Sequence, residues 1–401
     1  MTALLPQGQF SLPADLTYIG LLFALFVVPK ALQRYRIPDA VTCLVLGFGA
    51  TALGLERGNQ TVELLSTFGI TALFLFAGLE IDARELRRDV RTLVQHVTIW
   101  SGMALVVGAL VMRFLNLPWR AAALTSLALV TPSTGFILSS LRAFGLTPGE
   151  QFAVKTKAVG SELIALAGLF FILQTTSWER FALATVAMVL IVAFIPFAFR
   201  VFARRIAPFA PRSEFAFLLM VAVVCAYATR TLGVYYLVGA FLVGVAAQRF
   251  RMQLPAMSSE KMVDALEAFG SVFIPFYFFA AGTHVELAQL EWVAAAVAAG
   301  LLVVVTPLRI LSVTVHRRLA LREPFAQSRR IGIALVPTLV FTLVLSSILQ
   351  LDFAAPQWLV GALIIYTVVN TLLPAFALRG QAPEFTEPVA EPAAELEAPM
   401  P

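Results

Sequence analysis

The chain has few of the side chains from which metal centres and catalytic sites are built. Among its 401 residues there are 2 cysteines, 3 histidines and 13% charged residues. The cysteines, Cys43 and Cys225, both lie inside apolar runs, so the sequence has no disulfide or metal-ligand spacing. The histidines (His96, His284 and His316) share no local motif. We therefore expect no cofactor and no enzymatic activity.

Apolar residues are abundant instead: 59% of the chain is hydrophobic and its mean hydropathy is +0.86. A soluble domain is about 45–50% apolar and about 25% charged. Apolar runs of about 17–25 residues are long enough to cross a bilayer. They predict an all-α polytopic membrane protein with about 13 transmembrane helices, near residues 16–33, 39–55, 62–80, 92–115, 119–141, 152–174, 181–203, 214–231, 233–249, 262–282, 292–315, 328–350 and 357–378.

The Lys and Arg residues test this set of spans independently. Of the 29, the spans place 23 on one side of the membrane and five on the other, with Arg309 inside a span. The positive-inside rule then predicts an N-terminus outside and a C-terminus in the cytoplasm of a cell membrane, such as a bacterial inner membrane. Because topology accounts for the basic residues, we expect no nucleic-acid partner. No cleavable signal peptide is expected at residues 1–15, and residues 380–401 predict a disordered acidic Pro/Ala tail.

Two charged residues fall inside predicted spans. Glu162 lies near the middle of residues 152–174, where insertion of a charge costs about 2.5–3.5 kcal/mol. Such a residue indicates a functional site; the alternative is a structural glutamate that is protonated or hydrogen-bonded between helices. Arg309 lies in the eleventh span, where it either snorkels to the membrane surface or pairs with Glu162.

The two halves of the chain resemble each other at an offset near 204 residues. Gly78 aligns with Gly282 at an offset of 204, and Pro132 with Pro337 at 205. Because the equivalent spans run in opposite directions, the pattern predicts two inverted-topology repeats related by a pseudo-two-fold axis in the membrane plane. The first six spans match the last six, and the helix at 181–203 links them.

Helix breaks are predicted at the same place in both repeats. Pro132 and Gly135 interrupt the fifth span, and Pro337 interrupts the twelfth. Proline removes a backbone donor, so each position is either an unwound segment or a kink satisfied by nearby hydroxyl groups. Unwound backbone at membrane depth must be buried or line a cavity. Together with Glu162, the paired breaks predict a substrate site near the bilayer midplane.

Five segments are similar to those of one transporter family, in the same order: FGITALFLFAGLEID (68–82), TPSTGFILSSL (131–141), AVGSELIAL (158–166), YYLVGAFLVG (235–244) and FIPFYFFAAG (273–282). The chain resembles the monovalent cation:proton antiporter-2 family, the Kef-type and NapA-type sodium or potassium/proton exchangers, across all predicted spans. The family usually has Asp at the ion-binding position, whereas this chain has Ser161-Glu162.

The resemblance implies a transmembrane exchanger domain (1–379) with crossed discontinuous helices. It implies a dimerisation part (16–91 and 213–290) and a mobile core (92–175 and 291–379) in a homodimer that works by elevator-like alternating access. In such a protein Glu162 binds a sodium or potassium ion and a proton in competition, and Arg309 faces it as the charge partner.

Hard cations prefer oxygen ligands, which Glu162 and neighbouring hydroxyl or carbonyl groups offer. The candidate cation ligands besides Glu162 are Ser161, Thr131, Ser133, Thr134 and Thr338. Two other functions stay open from the sequence: a carrier of organic anions on the same fold, with Arg309 binding the anion, and a membrane scaffold that transports nothing.

Overall fold

The computed structural model describes residues 14–54, 60–81, 90–141, 143–175, 177–210, 213–231, 237–251 and 260–378. All regular secondary structure in these ranges is helical. The α-helices in chain order are α1 (Ala14–Gln33), α2 (Asp39–Ala52), α3 (Gln60–Leu79), α4 (Val90–Leu115), α5 (Trp119–Val130), α6 (Thr134–Ser140), α7 (Pro148–Gln174), α8 (Trp178–Val201), α9 (Glu214–Thr231), α10 (Leu237–Arg251), α11 (Glu260–Thr283), α12 (Trp292–Leu321), α13 (Phe325–Ala334), α14 (Leu339–Phe353) and α15 (Gln357–Ala377).

The helices confirm an all-α membrane protein. Within the described ranges, nine helical segments are long and apolar enough to cross a membrane, and α13 with α14, bent by 43°, makes a tenth. Three shorter apolar helices lie where the sequence predicts the first, second and ninth spans: Ile19–Gln33, Asp39–Ala52 and Val238–Phe250. The count of 13 spans therefore stays a prediction, because α2 and α10 are shorter than a typical span.

Prolines end the helices at the two predicted breaks. Helix α5 ends at Val130, and the chain is extended at Thr131 (φ −79°, ψ 120°) before α6 begins at Thr134. Helix α13 ends at Ala334, and α14 begins at Leu339. Proline disfavours helical backbone in the residue before it and supplies no N–H group, so Pro132 and Pro337 each stop the helix that precedes them.

The helices pack in two groups that follow the repeat rather than the chain order. Helices α2 and α3 pack along α11, and α3 and α9 pack along α10. In the second group α4 packs on α5, α12 on α13 and α15, and α14 on α5 and α15. The sequence divides the chain at the same helices, but the roles of these groups as dimerisation part and mobile core stay predictions.

Glycines make the pseudo-symmetry of the first group visible. Gly78 on α3 packs against Gly244 on α10, and Gly282 on α11 packs against Gly47 on α2. At each of these glycines an added Cβ would overlap a backbone carbonyl oxygen of the facing helix. Since Gly78 and Gly282 are 204 residues apart, the two crossings are equivalent under the repeat, and each joins a helix of one half of the chain to a helix of the other.

An ion pair between α13 and the start of α7 joins the two repeats. Arg330 on α13 donates from Nε to Glu150 Oε1 over 3.0 Å, and Glu150 is buried. The other oxygen of Glu150 accepts from the amide of Thr147, and the Thr147 hydroxyl accepts from the Glu150 amide, which completes a capping box at the start of α7. This network fixes the start of the helix that carries Glu162.

Several predictions concern parts of the chain outside the described residues. The acidic tail lies there, and so do some of the basic residues that predict the orientation in the membrane: Arg57, Arg84, Arg87, Arg88, Arg142, Arg212 and Arg379. The orientation of the termini therefore stays a prediction.

Candidate functional site

The two helix breaks meet in the middle of the second group. The backbone amide of Ser133, in the first break, donates a hydrogen bond to the carbonyl oxygen of Pro337, in the second, over 2.8 Å. Ser133, Thr131 and Thr338 are all buried at this crossing. The crossed, discontinuous helices predicted from the sequence are therefore present, and each break provides a backbone partner for the other.

The last turn of α5 needs partners for the carbonyl groups that the break leaves without intrahelical donors. Three neutral side chains from α4, α14 and α15 supply them. Thr342 donates to Ala128 O (2.7 Å), Tyr366 to Leu129 O (2.9 Å) and Trp100 Nε1 to Val130 O (3.1 Å).

Arg309 supplies the corresponding donors at the end of α13. Its guanidinium group is buried and donates to the carbonyl oxygens of Leu335 (Nη2, 2.8 Å) and Val336 (Nη1, 2.7 Å). Tyr366 lies 3.5 Å from Nη1 through its hydroxyl oxygen. A cation at this position also compensates the negative end of the α13 dipole. Arg309 therefore does not reach the membrane surface, and in the described part of the chain it forms no ion pair with Glu162. The carbonyl groups of the second break bind its guanidinium group instead.

Glu162 lies on α7 with 3% of its surface exposed. One carboxyl oxygen, Oε2, accepts a hydrogen bond from the backbone amide of Thr134 over 3.0 Å. Thr134 is the first residue of α6, immediately after the first break. The lone carboxylate predicted within the membrane is thus buried beside the crossing, and it contacts backbone that the break has exposed.

Two threonine hydroxyl groups are buried at the first break. Thr131 Oγ1 is buried and has no hydrogen-bond partner among the described residues. The Thr134 hydroxyl faces the Glu162 carboxyl group but forms no hydrogen bond of normal geometry. Buried hydroxyl groups are normally paired, so the Thr131 hydroxyl is available to a further partner.

Ser161 precedes Glu162 and is fully buried. Its Oγ lies 3.0 Å from Nε2 of His96 on α4. Both side chains border a cavity of about 20 Å³, which Pro132 and Arg309 also line. A space of this size holds about one water molecule.

The remaining predicted residues are placed differently. Thr338 shares a hydrogen bond of 2.8 Å with the hydroxyl of Thr367, so that hydroxyl is already engaged on the side of α15. Gly135 lies inside α6 rather than in the extended segment, and an added Cβ would overlap the side chain of Leu73 on α3. The break itself comprises Thr131 to Ser133.

This arrangement can be compared with known proteins. The family model described as "Sodium/hydrogen exchanger, transmembrane" matches residues 21–379. The chain belongs to this family. Among solved structures, that of the sodium proton antiporter MjNhaP1 from Methanocaldococcus jannaschii matches with a TM-score of 0.68 at 17% identity, covering 90% of this chain and 96% of that one. The match shows that the two proteins share a fold.

Curated relatives of this family member are distant. The Na(+)/H(+) antiporter NhaS5 of Synechocystis is 23% identical over 281 residues, which cover 67% of this chain and 39% of that protein. The probable Na(+)/H(+) antiporter 3 of Methanocaldococcus jannaschii is 21% identical over 280 residues, covering 67% of this chain and 70% of the relative. The chain thus matches about two fifths of the length of NhaS5.

The sequence-based predictions omit three side chains that lie at this candidate site. His96 contacts Ser161, Tyr366 bonds to one break and lies beside Arg309 at the other, and Thr367 pairs with Thr338. His96 offered a signal, because a histidine within a predicted span is costly. Tyr366 lies 204 residues after Glu162, so the repeat offset identifies it as the counterpart of the acid.

Proposed function

We propose that the chain exchanges a monovalent cation for a proton across the membrane, and that both bind to Glu162. The observation that carries this proposal is the place of the carboxylate, buried where two interrupted helices cross and hydrogen-bonded to Thr134 N. A carboxylate has about four acceptor positions. Apart from Thr134, no described residue donates to it, so acceptor positions remain for an ion or a proton.

The cation ligands are oxygens at the first break. Thr131 and Thr134 contribute hydroxyl groups without hydrogen-bond partners of normal geometry, and Ser133 lies between them. Ser161 lies next to Glu162 on the same helix. Sodium and potassium are hard cations, which take oxygen ligands of this kind. Thr338 joins them only if its hydrogen bond to Thr367 is given up.

The exchange follows from competition for one carboxylate. Deprotonated Glu162 holds the cation; protonation removes the negative charge and the cation leaves. Because one proton replaces one monovalent cation, each cycle moves no net charge, and we expect electroneutral exchange. Binding of the two substrates is reciprocally coupled, so each weakens the other by the same factor.

Arg309 acts as a fixed positive charge near this site rather than as a direct partner of the acid. Its hydrogen bonds to Leu335 and Val336 hold the guanidinium group at the second break whether or not Glu162 is charged. The same two bonds speak against a carrier of organic anions, because a guanidinium group occupied by backbone carbonyls has less to offer a substrate carboxylate.

The conformational cycle uses the two packing groups. In this proposal α4 to α7 and α12 to α15 form the mobile core, and α1 to α3 and α9 to α11 form a dimerisation part in a homodimer. The core moves the crossing past α3, which it contacts where Leu73 meets Gly135. The N-terminus faces outside and the C-terminus faces the cytoplasm, as the basic residues predict.

The test is proton movement in proteoliposomes that contain a pH-sensitive dye. Addition of sodium, potassium or lithium to vesicles with the wild-type protein drives proton efflux, and Glu162→Gln and empty vesicles show none. Voltage clamping with an ionophore leaves the wild-type rate unchanged if exchange is electroneutral. Anion-dependent flux that survives Glu162→Gln and disappears in Arg309→Ala would instead establish the organic-anion carrier.

A further inference from the structure

His96 is a buried histidine for which the exchange cycle above has no use. It lies on α4, with 6% of its surface exposed, and its Nε2 is 3.0 Å from Ser161 Oγ. Within the described part of the chain, this is the only hydrogen bond that Ser161 Oγ makes. Many serine and threonine hydroxyls in the helices bond to a carbonyl one turn back, as Thr371 does to Thr367. Ser161 belongs with those that bond to another helix, as Thr342 does to Ala128 O.

The direction of this hydrogen bond follows from the burial of Ser161. A hydroxyl group has one hydrogen to donate and two lone pairs. Because a buried O–H group normally has an acceptor and Nε2 is its one described partner, we assign Ser161 as the donor and the neutral His96 ring as the acceptor. Both lone pairs of Ser161 Oγ then remain free of donors.

Free lone pairs are what a cation ligand needs. A hydroxyl whose hydrogen points away from an ion presents oxygen to it, whereas a freely rotating hydroxyl must first be oriented, at a cost in entropy. Ser161 and Glu162 both face the first break: Ser161 borders the cavity beside Pro132, and Glu162 bonds to Thr134 N.

We propose that His96 is a positioning residue for the transported cation: by accepting the Ser161 hydrogen, it fixes the Ser161 hydroxyl with its lone pairs available to the ion beside Glu162. This role rests on the proposed exchange function. Through the direction of its hydrogen bond with Ser161, His96 affects cation affinity without touching the ion.

The experiment measures the apparent KM and kcat for the cation in proteoliposomes with Ser161→Ala, His96→Leu, His96→Gln and the Ser161→Ala/His96→Leu double variant. Ser161→Ala and His96→Leu each raise KM about tenfold and leave kcat within about twofold. The double variant is no worse than either single variant, because both remove the same ligand. His96→Gln, whose side-chain oxygen can accept the same hydrogen, restores KM to within about threefold of wild type. His284→Leu, a substitution at an exposed histidine, leaves KM unchanged.

A second readout keeps the test valid if a variant is unstable. Thermal unfolding of each purified variant, with and without the cation, gives a ligand-induced shift in Tm that is smaller in Ser161→Ala and His96→Leu and normal in His96→Gln. If the KM increases of the two single variants multiply in the double variant, or if KM is unchanged in His96→Leu, the role of His96 is overturned and the proposed exchange function is not. Absence of any cation-driven proton flux in the wild type overturns the proposed function, and this role with it.

Discussion

The amide of Ser133 donates to the carbonyl oxygen of Pro337 over 2.8 Å, and through this bond the two interrupted helices satisfy each other's backbone. Neither break can be regarded as a separate kink, because each depends on the other repeat for a partner. Thr134 follows Ser133 in the chain, so the crossing also positions the Thr134 amide, which donates a hydrogen bond to Glu162. If Glu162 binds the cation as we propose, stability and ion binding are coupled at this point.

Loss of the Tyr366 hydroxyl should weaken the crossing. This group donates to Leu129 O over 2.9 Å and lies 3.5 Å from Arg309 Nη1, so it connects the two breaks. We expect Tyr366→Phe to lower the free energy of unfolding by about 1–3 kcal/mol, because Leu129 O loses its side-chain donor. Tyr227→Phe, at a residue that is 68% exposed, is the matched control and should change nothing. Equal Tm values for both variants would show that the bond to Leu129 contributes no stability.

Arg309 should matter for folding before it matters for transport. Arg309→Ala leaves the carbonyl groups of Leu335 and Val336 without a donor and should cost at least about 1.5–3 kcal/mol, the range for a hydrogen bond to a charged group. Arg309→Lys keeps the charge but cannot donate as a planar fork, so it should fall between wild type and Ala. Detergent-solubilised unfolding curves measure the order. A stable Arg309→Ala variant without transport would contradict this interpretation and favour a direct ion-pairing role.

Replacing Thr131 should separate binding from stability. Its hydroxyl is buried without a partner, so Thr131→Val, which removes that polar group at nearly constant shape, should leave the protein as stable or raise its unfolding free energy by about 1 kcal/mol. If the hydroxyl is a cation ligand, the same variant raises the cation KM. Thr125→Val is the control, because the Thr125 hydroxyl is already bonded to Ala121 O. A Thr131→Val variant with normal KM removes Thr131 from the ligand set.

The close glycine crossings should not tolerate a methyl group. A Cβ at Gly282 would overlap the Leu44 carbonyl oxygen, so Gly282→Ala should force α2 and α11 apart at a cost of about 1–3 kcal/mol. Gly49 lies on α2 as well, with no atom within 4 Å of an added Cβ. Gly49→Ala should therefore be neutral or slightly stabilising, since alanine favours a helix. Similar unfolding temperatures for both variants would show that this crossing is looser than described.

Much of the fold could be predicted from the sequence, because hydropathy and proline act locally. Apolar runs gave the positions of the helices, and Pro132 and Pro337 marked breaks that the structure places within a residue or two. The short α2 and α10 are harder to classify, since a buried helix and a membrane span look alike at that length. The sequence places Gly135 in the break, but it lies in α6. A glycine can mark a helix break or a close packing contact, and here it packs against Leu73.

The partners of the intramembrane charges could not be predicted, because they depend on tertiary geometry. The sequence favours an Arg309–Glu162 pair as the sharper of two options, yet Arg309 and Glu162 bond to backbone groups exposed at different breaks. Nothing in the local sequence of His96 indicates that it meets Ser161, 65 residues away. Such contacts are set by helix packing. The repeat offset points to Tyr366, 204 residues after Glu162, but it does not indicate the contact between His96 and Ser161.

The central claim, that Glu162 is shared in turn by a cation and a proton, can be measured by calorimetric titration of the purified protein in buffers of different ionisation enthalpy. This titration gives the number of protons released for each cation bound. We predict a release that approaches one proton per cation as the pH is lowered, and no cation binding by Glu162→Gln. Cation binding that releases no proton at any pH, or cation binding that is retained in Glu162→Gln, would contradict the claim.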